Sequence, residues 1–216
     1  MSGKRVILFD FDGTLVDTRR DLASAVNHLR RDLGLHELSV AEVLKHVGLG
    51  ANHLLAYAVP EAAGEDQTKL RDRFRECYAA HMLDTAALYP TVRETLEVLK
   101  ERGCLLGVNT AKPSFAARKI LQKLDIEHFF GDAVIAGGDS PEMKPSKVPA
   151  LLCAAKLGAT LGPDDWMVGD NWTDVECGYN AGIKSAFCEF GFGSLNASVP
   201  TVRLRQMSDL ILAIKW

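Results

Sequence analysis

The chain has 216 residues, 47% of them hydrophobic and 25% charged, which is the composition of a globular protein with an ordinary apolar core. A formal net charge of −3 and the lack of any dense lysine and arginine block argue against a nucleic-acid partner. The five cysteines form no C-x-x-C pair, no signal peptide is apparent and no uncharged apolar run is long enough to span a membrane, so we expect a cytoplasmic protein without a membrane partner.

Several short apolar runs predict buried strands, because near-continuous apolar residues suit strands that are covered on both faces of a parallel sheet. In chain order the runs are VILF (6–9), CLLGV (104–108), AVIA (133–136), WMV (166–168) and IKSAF (183–187). Helical patterns lie between them, over residues 91–102, 113–124, 146–157 and 172–181. This alternation predicts an α/β fold with a doubly wound, Rossmann-like parallel sheet as its core.

Residues 17–88 break this alternation, because they contain no convincing strand. Helical patterns recur there instead, and the GLG sequence at 48–50 has the composition of a loop. The patterns cover residues 18–33, 39–46 and 66–83. A helical insertion after the first strand indicates a separate domain. We therefore expect residues 1–16 and 85–216 to form the α/β catalytic core and residues 17–84 to form a helical cap.

Acidic and polar side chains follow the predicted strands or precede the helices after them, and open α/β sheets bind ligands at the carboxyl ends of their strands. In chain order these side chains are Asp10, Asp12, Asn109, Thr110, Lys112, Lys144, Asp170 and Asp174. A parallel sheet would bring them to one edge, where four carboxylates would repel one another without a cation. Mg²⁺ fits best, because it prefers hard oxygen ligands and bridges to phosphate. The absence of histidine and cysteine at these positions disfavours zinc.

The first predicted strand leads into the sequence DFDGT at residues 10–14. One carboxylate of such a pair can attack phosphorus to give an aspartyl phosphate, and the second can protonate the leaving alcohol and then deprotonate the attacking water. Gly13 permits an unusual dihedral angle or a close backbone approach, and Thr14 is placed to hydrogen-bond a phosphoryl oxygen or to brace the loop. A simple turn that closes the strand is the structural alternative, since aspartate and glycine are common in turns.

The sequence DFDGT resembles the D-x-D-G-T signature of the haloacid dehalogenase-like hydrolase superfamily. The other motifs of that family follow in order, and they are Thr110 after the second core strand, Lys144-Pro145 before a helix, and Gly169-Asp170-x-x-x-Asp174. The resemblance covers essentially the whole chain. A helical insertion between the first two motifs is similar to the subclass with a small α-helical lid.

The resemblance implies a role for each matching residue. Asp10 would be the nucleophile and a metal ligand, and Asp12 would be the general acid and base, with its backbone carbonyl on the metal. Asp170 would bind Mg²⁺ directly and Asp174 would support the metal, while Lys144 would offset negative charge as the transition state forms. The resemblance also implies a phosphate site that consists of Gly13, Thr14, Thr110, Ala111 and Lys144. In this site Thr110 would hydrogen-bond the transferring phosphoryl group.

The second aspartate of the signature, Asp12, indicates phosphoryl transfer, because dehalogenase relatives lack it and a halide needs no proton to leave. The stretches 47–55, 135–147 and 167–185 are similar to bacterial phosphoglycolate phosphatases. We therefore expect a Mg²⁺-dependent phosphatase that hydrolyses a small phosphorylated metabolite through an aspartyl phosphate. The first candidate for the substrate is 2-phosphoglycolate, and we expect the protein to be a monomer or a homodimer. The alternatives are a phosphomutase of the β-phosphoglucomutase type, a pyrophosphatase and a non-catalytic binding protein with the same fold.

The sequence departs from the family pattern in the second motif. Ala111 stands where the family commonly has asparagine after Thr110, so one hydrogen bond to the substrate would be missing unless Asn109 supplies it. After Lys144-Pro145 the family often has another proline two residues later, and this chain has Lys147 there. Neither change removes a group that the chemical step requires.

Some of the candidate residues also have a structural interpretation. Lys144 could be a solvated lysine, and Asp174 could complement the N-terminus of a helix. The FGFG sequence at 190–193 has the composition of a loop. In the predicted cap, His46 and His53 flank the glycine loop and are candidates for substrate contact, with a role as surface or core residues as the alternative. Lys45, Arg71 and Arg75 are candidates for binding a substrate carboxylate, with solvated helix faces as the alternative.

Overall fold

The computed structural model describes residues 4–60, 64 and 66–216 of the chain. The strands in this part of the chain are β1 (Val6–Phe9), β2 (Val16–Asp17), β3 (Ala87–Leu88), β4 (Leu105–Pro113), β5 (Val134–Gly137), β6 (Trp166–Gly169), β7 (Lys184–Cys188) and β8 (Val202–Leu204). Six of them form one parallel sheet in the order β5-β4-β1-β6-β7-β8. The short strands β2 and β3 pair with each other in antiparallel orientation.

Helices cover both faces of this sheet and also fill the segment between β2 and β3. They are α1 (Arg19–Asp32), α2 (Val40–Leu44), α3 (Ala51–Ala58), α4 (Gln67–His81), α5 (Val92–Glu101), α6 (Ser114–Lys123), α7 (Val148–Lys156), α8 (Trp172–Ala181) and α9 (Asp209–Ala213). Residues of α7 and α8 pack on one face of the sheet, and residues of α5, α6 and α9 pack on the other. The predicted α/β fold with a doubly wound parallel sheet is therefore confirmed.

The central strand β1 shows why its sequence is apolar without interruption. Ile7 and Phe9 pack into the core on one face of the sheet, and Val6 and Leu8 pack into the core on the other. Successive side chains of a strand point to opposite faces, so a strand covered on both sides has no solvated position. The parallel register pairs Phe9 with Val108 of β4 and with the residue before Gly169 in β6, which brings the ends of the three strands to one edge.

The structure differs from the predicted core elements in its C-terminal part and in β4. Strand β4 continues beyond the apolar run as far as Pro113, with an irregular register against β5 between Asn109 and Pro113. Strand β8 and helix α9 were not predicted, because they have three and five residues and are too short to show a periodic pattern. The helix that follows β4 begins at Ser114, one residue after the predicted start.

The segment between β2 and β3 is helical, and its helices α1, α2 and α4 were predicted. Helix α3 was not predicted, and it begins after Gly50 and buries Leu54, Leu55 and Ala58. The two-residue strands β2 and β3 correct the expectation that residues 17–88 contain no strand, since pairs this short leave no pattern in the sequence. The division into a core and a cap at the predicted boundaries stays a prediction. None of the described helices combines the length and the apolar character that a membrane crossing requires.

A buried carboxylate joins the start of this helical segment to its end. Asp21, in the first turn of α1, accepts hydrogen bonds from the backbone N–H of Thr85 at 2.9 Å and of Ala86 at 3.0 Å. It also accepts one from the Thr85 hydroxyl at 2.5 Å. Hydrogen bonds to a charged acceptor are stronger than neutral ones, so these contacts hold the two connections between the helical segment and the sheet together.

Candidate active site

Three buried carboxylates meet at the edge where the parallel strands end. Asp10 follows β1, Asp170 follows β6, and Asp174 lies in the first turn of α8. One carboxylate oxygen from each lies within 4.8 Å of the others, and among the residues that the structure describes this group of acids is close enough to hold a metal ion. The parallel sheet thus brings together three of the four predicted acids, although they are far apart in the sequence.

A lysine lies among these acids. The Nζ atom of Lys144 is 2.8 Å from Oδ1 of Asp10 and donates a hydrogen bond to Oδ1 of Asp174 at 2.6 Å. The lysine side chain is only 2% exposed, so the interpretation of Lys144 as a solvated lysine is wrong. Burial alone would lower the pKa of Lys144, but the two carboxylates raise it by more, and the net pKa lies above its usual value. The ammonium group therefore stays charged between them.

Asp174 has two structural functions at once. Its Oδ2 accepts a hydrogen bond from the backbone N–H of Asn171 at 3.0 Å, while the Asn171 side chain accepts one from Thr173, and together these contacts form a capping box at the start of α8. Its Oδ1 meanwhile binds Lys144. The two interpretations of Asp174, as a helix-terminal carboxylate and as a site residue, are thus compatible.

The glycines around Asp170 allow the backbone to approach its carboxylate closely. The backbone N–H groups of Phe192 and Gly193 donate hydrogen bonds to Oδ2 at 2.9 and 2.8 Å. Gly13 has a φ of +79°, and a Cβ atom on it would lie 1.9 Å from the same oxygen. A Cβ on Gly191 would lie 2.3 Å from the Asp170 Cβ atom. The FGFG segment, which was interpreted only as a loop, therefore orients a predicted metal ligand.

The carboxylate group fits a hard divalent cation. Burial and the charges of Asp10 and Asp174 raise the pKa of Asp170 well above its usual value. Burial likewise raises the pKa of Asp174, although Lys144 opposes this. Three carboxylates face one ammonium group, so two negative charges remain without a positive partner when all three acids are ionised. Oxygen ligands with excess negative charge are what Mg²⁺ prefers in proteins.

The fourth acid, Asp12, lies apart from this group. Its Oδ1 accepts a hydrogen bond from the Thr18 hydroxyl at 2.5 Å and another from Nζ of Lys112 at 2.7 Å. The two aspartates of the signature diverge because the strand ends at Phe9 and the chain turns through Gly13. The two carboxylates therefore occupy different surroundings, which is the arrangement that different chemical roles require.

A cavity opens beside Asp10 and Asp12. On the sheet side it is lined by Thr110, Ala111 and Lys112, and on the helical side by residues that include Leu22, Val47, Leu54, Phe74 and Tyr78. The candidates for substrate contact from the helical segment, Lys45, His46, His53, Arg71 and Arg75, are absent from this lining. His46 and His53 instead contact the ring of Tyr57, and the guanidinium of Arg75 lies 4.8 Å from the centroid of the Phe115 ring.

Two further site predictions concern Thr14 and Asn109, which are not among the residues that line this cavity. Thr14 is fully buried, and its backbone N–H donates a hydrogen bond to the carbonyl of Phe11 within the loop. The Asn109 amide is buried against the sulfur atoms of Met167 and Cys177 at 3.8 and 3.6 Å. The expectation that Asn109 replaces the hydrogen bond missing at Ala111 stays a prediction.

The chain is similar to known proteins along almost its whole length. Residues 7–188 match the family model of the haloacid dehalogenase-like hydrolases. The curated phosphoglycolate phosphatase of Aquifex aeolicus is 35% identical over 212 residues, which are 96% of this chain and 95% of that protein. The phosphoglycolate phosphatase of Mannheimia succiniciproducens is 34% identical over 198 residues, or 87% of each chain. The crystal structure of a predicted phosphoglycolate phosphatase from Haemophilus somnus has a TM-score of 0.89 and 30% identity, with 100% of both chains covered.

The chain therefore belongs to the haloacid dehalogenase-like hydrolases, as its four motifs predicted. Its curated relatives also confirm the prediction of a phosphatase, a hydrolase that acts on phosphoric monoesters. Such an enzyme has a small phosphorylated compound as its substrate.

Proposed function

We propose that this phosphatase hydrolyses 2-phosphoglycolate in a Mg²⁺-dependent reaction with Asp10 as the nucleophile. The observation that carries the proposal is the position of Asp10, which lines the same cavity as Asp12 and is grouped with Asp170, Asp174 and Lys144 on its other side. The choice of substrate is supported by the activity for which the curated relatives are named.

The reaction would proceed in two displacements at phosphorus. In the first, a carboxylate oxygen of Asp10 attacks phosphorus, the bond to the leaving oxygen breaks, and Asp12 gives that oxygen a proton. In the second, Asp12 takes a proton from water, the water oxygen attacks phosphorus, and the bond to Asp10 breaks to release inorganic phosphate. Lys144 stays protonated beside Asp10, so its charge stabilises the negative charge that gathers on the phosphoryl oxygens.

Mg²⁺ would be held by Asp10, Asp170 and the backbone carbonyl of Asp12, with Asp174 in support. When bound, the ion neutralises carboxylate and phosphoryl charge at the site. The protein supplies the rest of the arrangement through the FGFG segment and Gly13, which keep the Asp170 carboxylate in place.

The helical segment of residues 17–84 would act as a cap in this reaction. Its side chains form the apolar wall of the cavity opposite the sheet. In the proposed reaction that wall would exclude water from the phosphoryl group. The hydrogen bonds from Thr85 and Ala86 to Asp21 would hold the two connections of the cap together when the cap moves.

The purified chain is expected to release inorganic phosphate from 2-phosphoglycolate when Mg²⁺ is present. Excess EDTA is expected to stop turnover and added Mg²⁺ to restore it, because the three carboxylates need a cation to accept an anionic substrate. The measurement is kcat/KM for 2-phosphoglycolate against a panel of sugar phosphates and pyrophosphate. Turnover that persists in EDTA would contradict the metal site, and isomerisation of a sugar phosphate without phosphate release would identify a phosphomutase instead.

A further inference from the structure

Lys112 is a buried cation that takes no part in the two displacements described above. Its Nζ donates a hydrogen bond to Oδ1 of Asp12 at 2.7 Å and another to the Tyr78 hydroxyl. It also lies 5.3 Å from the centroid of the Phe11 ring and 4.8 Å from that of the Tyr78 ring. The side chain of Lys112 is 1% exposed. A buried ammonium group with this set of partners is held in one position.

These partners are in the protonation states that such contacts require at neutral pH. Burial alone would lower the pKa of Lys112, but Asp12 and Tyr78 raise it by more, so the net pKa is raised and the amine stays charged. Burial raises the pKa of Tyr78 to about 12, so its hydroxyl is neutral and accepts the hydrogen bond from the ammonium group.

The contacts of Lys112 connect three separate parts of the chain. Asp12 belongs to the loop after β1, Lys112 to β4 and Tyr78 to α4 of the helical segment. All three residues line the cavity beside Asp10, and among the described residues that line it Lys112 is the only lysine or arginine. A single buried ammonium group therefore joins the proposed acid and base to the opposite wall of the cavity.

The Asp12 carboxylate is oriented through one of its two oxygens. Both the Lys112 ammonium and the Thr18 hydroxyl donate to Oδ1. Two donors from different parts of the chain fix the rotation of the carboxylate, and they leave the other oxygen, Oδ2, for proton exchange with the leaving group.

We propose that Lys112 is a positioning residue that holds Asp12 in the orientation for proton transfer to the leaving oxygen, and that Tyr78 couples this orientation to the placement of α4. The proposal rests on the proposed function, since it assigns Asp12 the proton transfer described there. The contribution of Lys112 to the rate would thus be largest for substrates whose leaving oxygen needs a proton in order to depart.

The test compares Lys112→Met with the unchanged chain on three substrates, namely 4-nitrophenyl phosphate, ethyl phosphate and 2-phosphoglycolate. A nitrophenolate ion departs without a proton, whereas the two alkoxides need one. The quantity measured is kcat/KM, because it reports the steps up to departure of the leaving group. We expect Lys112→Met to lower kcat/KM at least about tenfold more for both alkyl phosphates than for the nitrophenyl ester, since general acid catalysis contributes about 10²- to 10⁴-fold.

The outcomes separate this proposal from its rivals. A parallel loss on all three substrates, or no loss, would show that Lys112 has only a structural role or none. A loss confined to 2-phosphoglycolate would show that the lysine binds the substrate carboxylate and does not orient Asp12. Absence of phosphate release from all three substrates by the unchanged chain would refute the proposed function itself, which is a different result from a failed selectivity shift.

Matched controls are available for both partners. Lys184→Met removes a lysine whose ion pair with Asp164 lies at the surface, and it is expected to leave the ratio of alkyl to aryl activity unchanged. Tyr78→Phe removes the hydroxyl and keeps the ring that stacks on Phe74, so it carries the test should Lys112→Met fail to fold. We expect it to shift the ratio in the same direction by at least about threefold, because the Lys112 ammonium loses one of its two hydrogen-bond partners. A ratio equal to that of Tyr57→Phe, which alters an exposed tyrosine of α3, would contradict the coupling to α4.

Discussion

Asp10→Asn is expected to lower phosphatase turnover at least about 1,000-fold while the chain stays folded, because removing a nucleophile has effects of this size or larger. An amide cannot attack phosphorus as a carboxylate does, so the first displacement would fail. The replacement has nearly the same shape, and Lys144 keeps its hydrogen bond to Asp174. The measurements are kcat on 4-nitrophenyl phosphate with Mg²⁺ and the thermal unfolding midpoint.

A matched control for this variant is Asp164→Asn. Asp164 is an exposed carboxylate in the turn before β6. It therefore lies at the end of β6 opposite to the end that Asp170 follows at the site. The control is therefore expected to keep normal turnover. Near-normal activity of Asp10→Asn would contradict the assignment of Asp10 as the nucleophile, and equal losses in both variants would show that charge alone is responsible.

Lys144→Met is expected to destabilise the fold by about 3–5 kcal/mol, which is the usual effect of removing one partner from a buried ion pair. The ammonium group lies within 2.8 Å of a carboxylate oxygen of both Asp10 and Asp174, and its removal leaves these buried acids and Asp170 without any cation when metal is absent. The measurement is the free energy of unfolding in denaturant with EDTA present. Turnover is expected to fall as well, because the phosphoryl charge loses a fixed positive neighbour.

Lys184→Met is again the matched control, since the ion pair of Lys184 with Asp164 at 2.6 Å lies at the surface. Exposed ion pairs contribute little to stability, so this variant is expected to unfold at nearly the same denaturant concentration as the unchanged chain. Equal stability of the two variants would contradict the inference that Lys144 stabilises the fold by neutralising the buried acids.

The parts of the site that follow strands were predictable from the sequence. Apolar runs identified β1 and β6, and a parallel sheet must bring their carboxyl ends together, so Asp10 and Asp170 could be placed at one edge before the structure was known. Lys144 was harder to interpret, because most lysines are solvated and nothing in its neighbouring residues indicates burial.

Other parts of the site depend on tertiary packing that leaves no sequence pattern. Phe192 and Gly193 bind Asp170 through backbone N–H groups, and every residue except proline has such a group. The glycines of the FGFG segment were the available signal, since they permit a close backbone approach. The contact of Tyr78 with Lys112 depends on how α4 lies over the sheet, and helical periodicity gives the buried face of a helix without giving its partner.

The covalent intermediate is the most direct test of the assignment of Asp10. The enzyme would be mixed with 2-phosphoglycolate and Mg²⁺, quenched during turnover and treated with borohydride, which reduces an aspartyl phosphate to homoserine. Peptide mass spectrometry is expected to find homoserine at position 10 in the unchanged chain and none at Asp164. Homoserine at another aspartate, or none at all while phosphate is being released, would contradict attack by Asp10 on phosphorus.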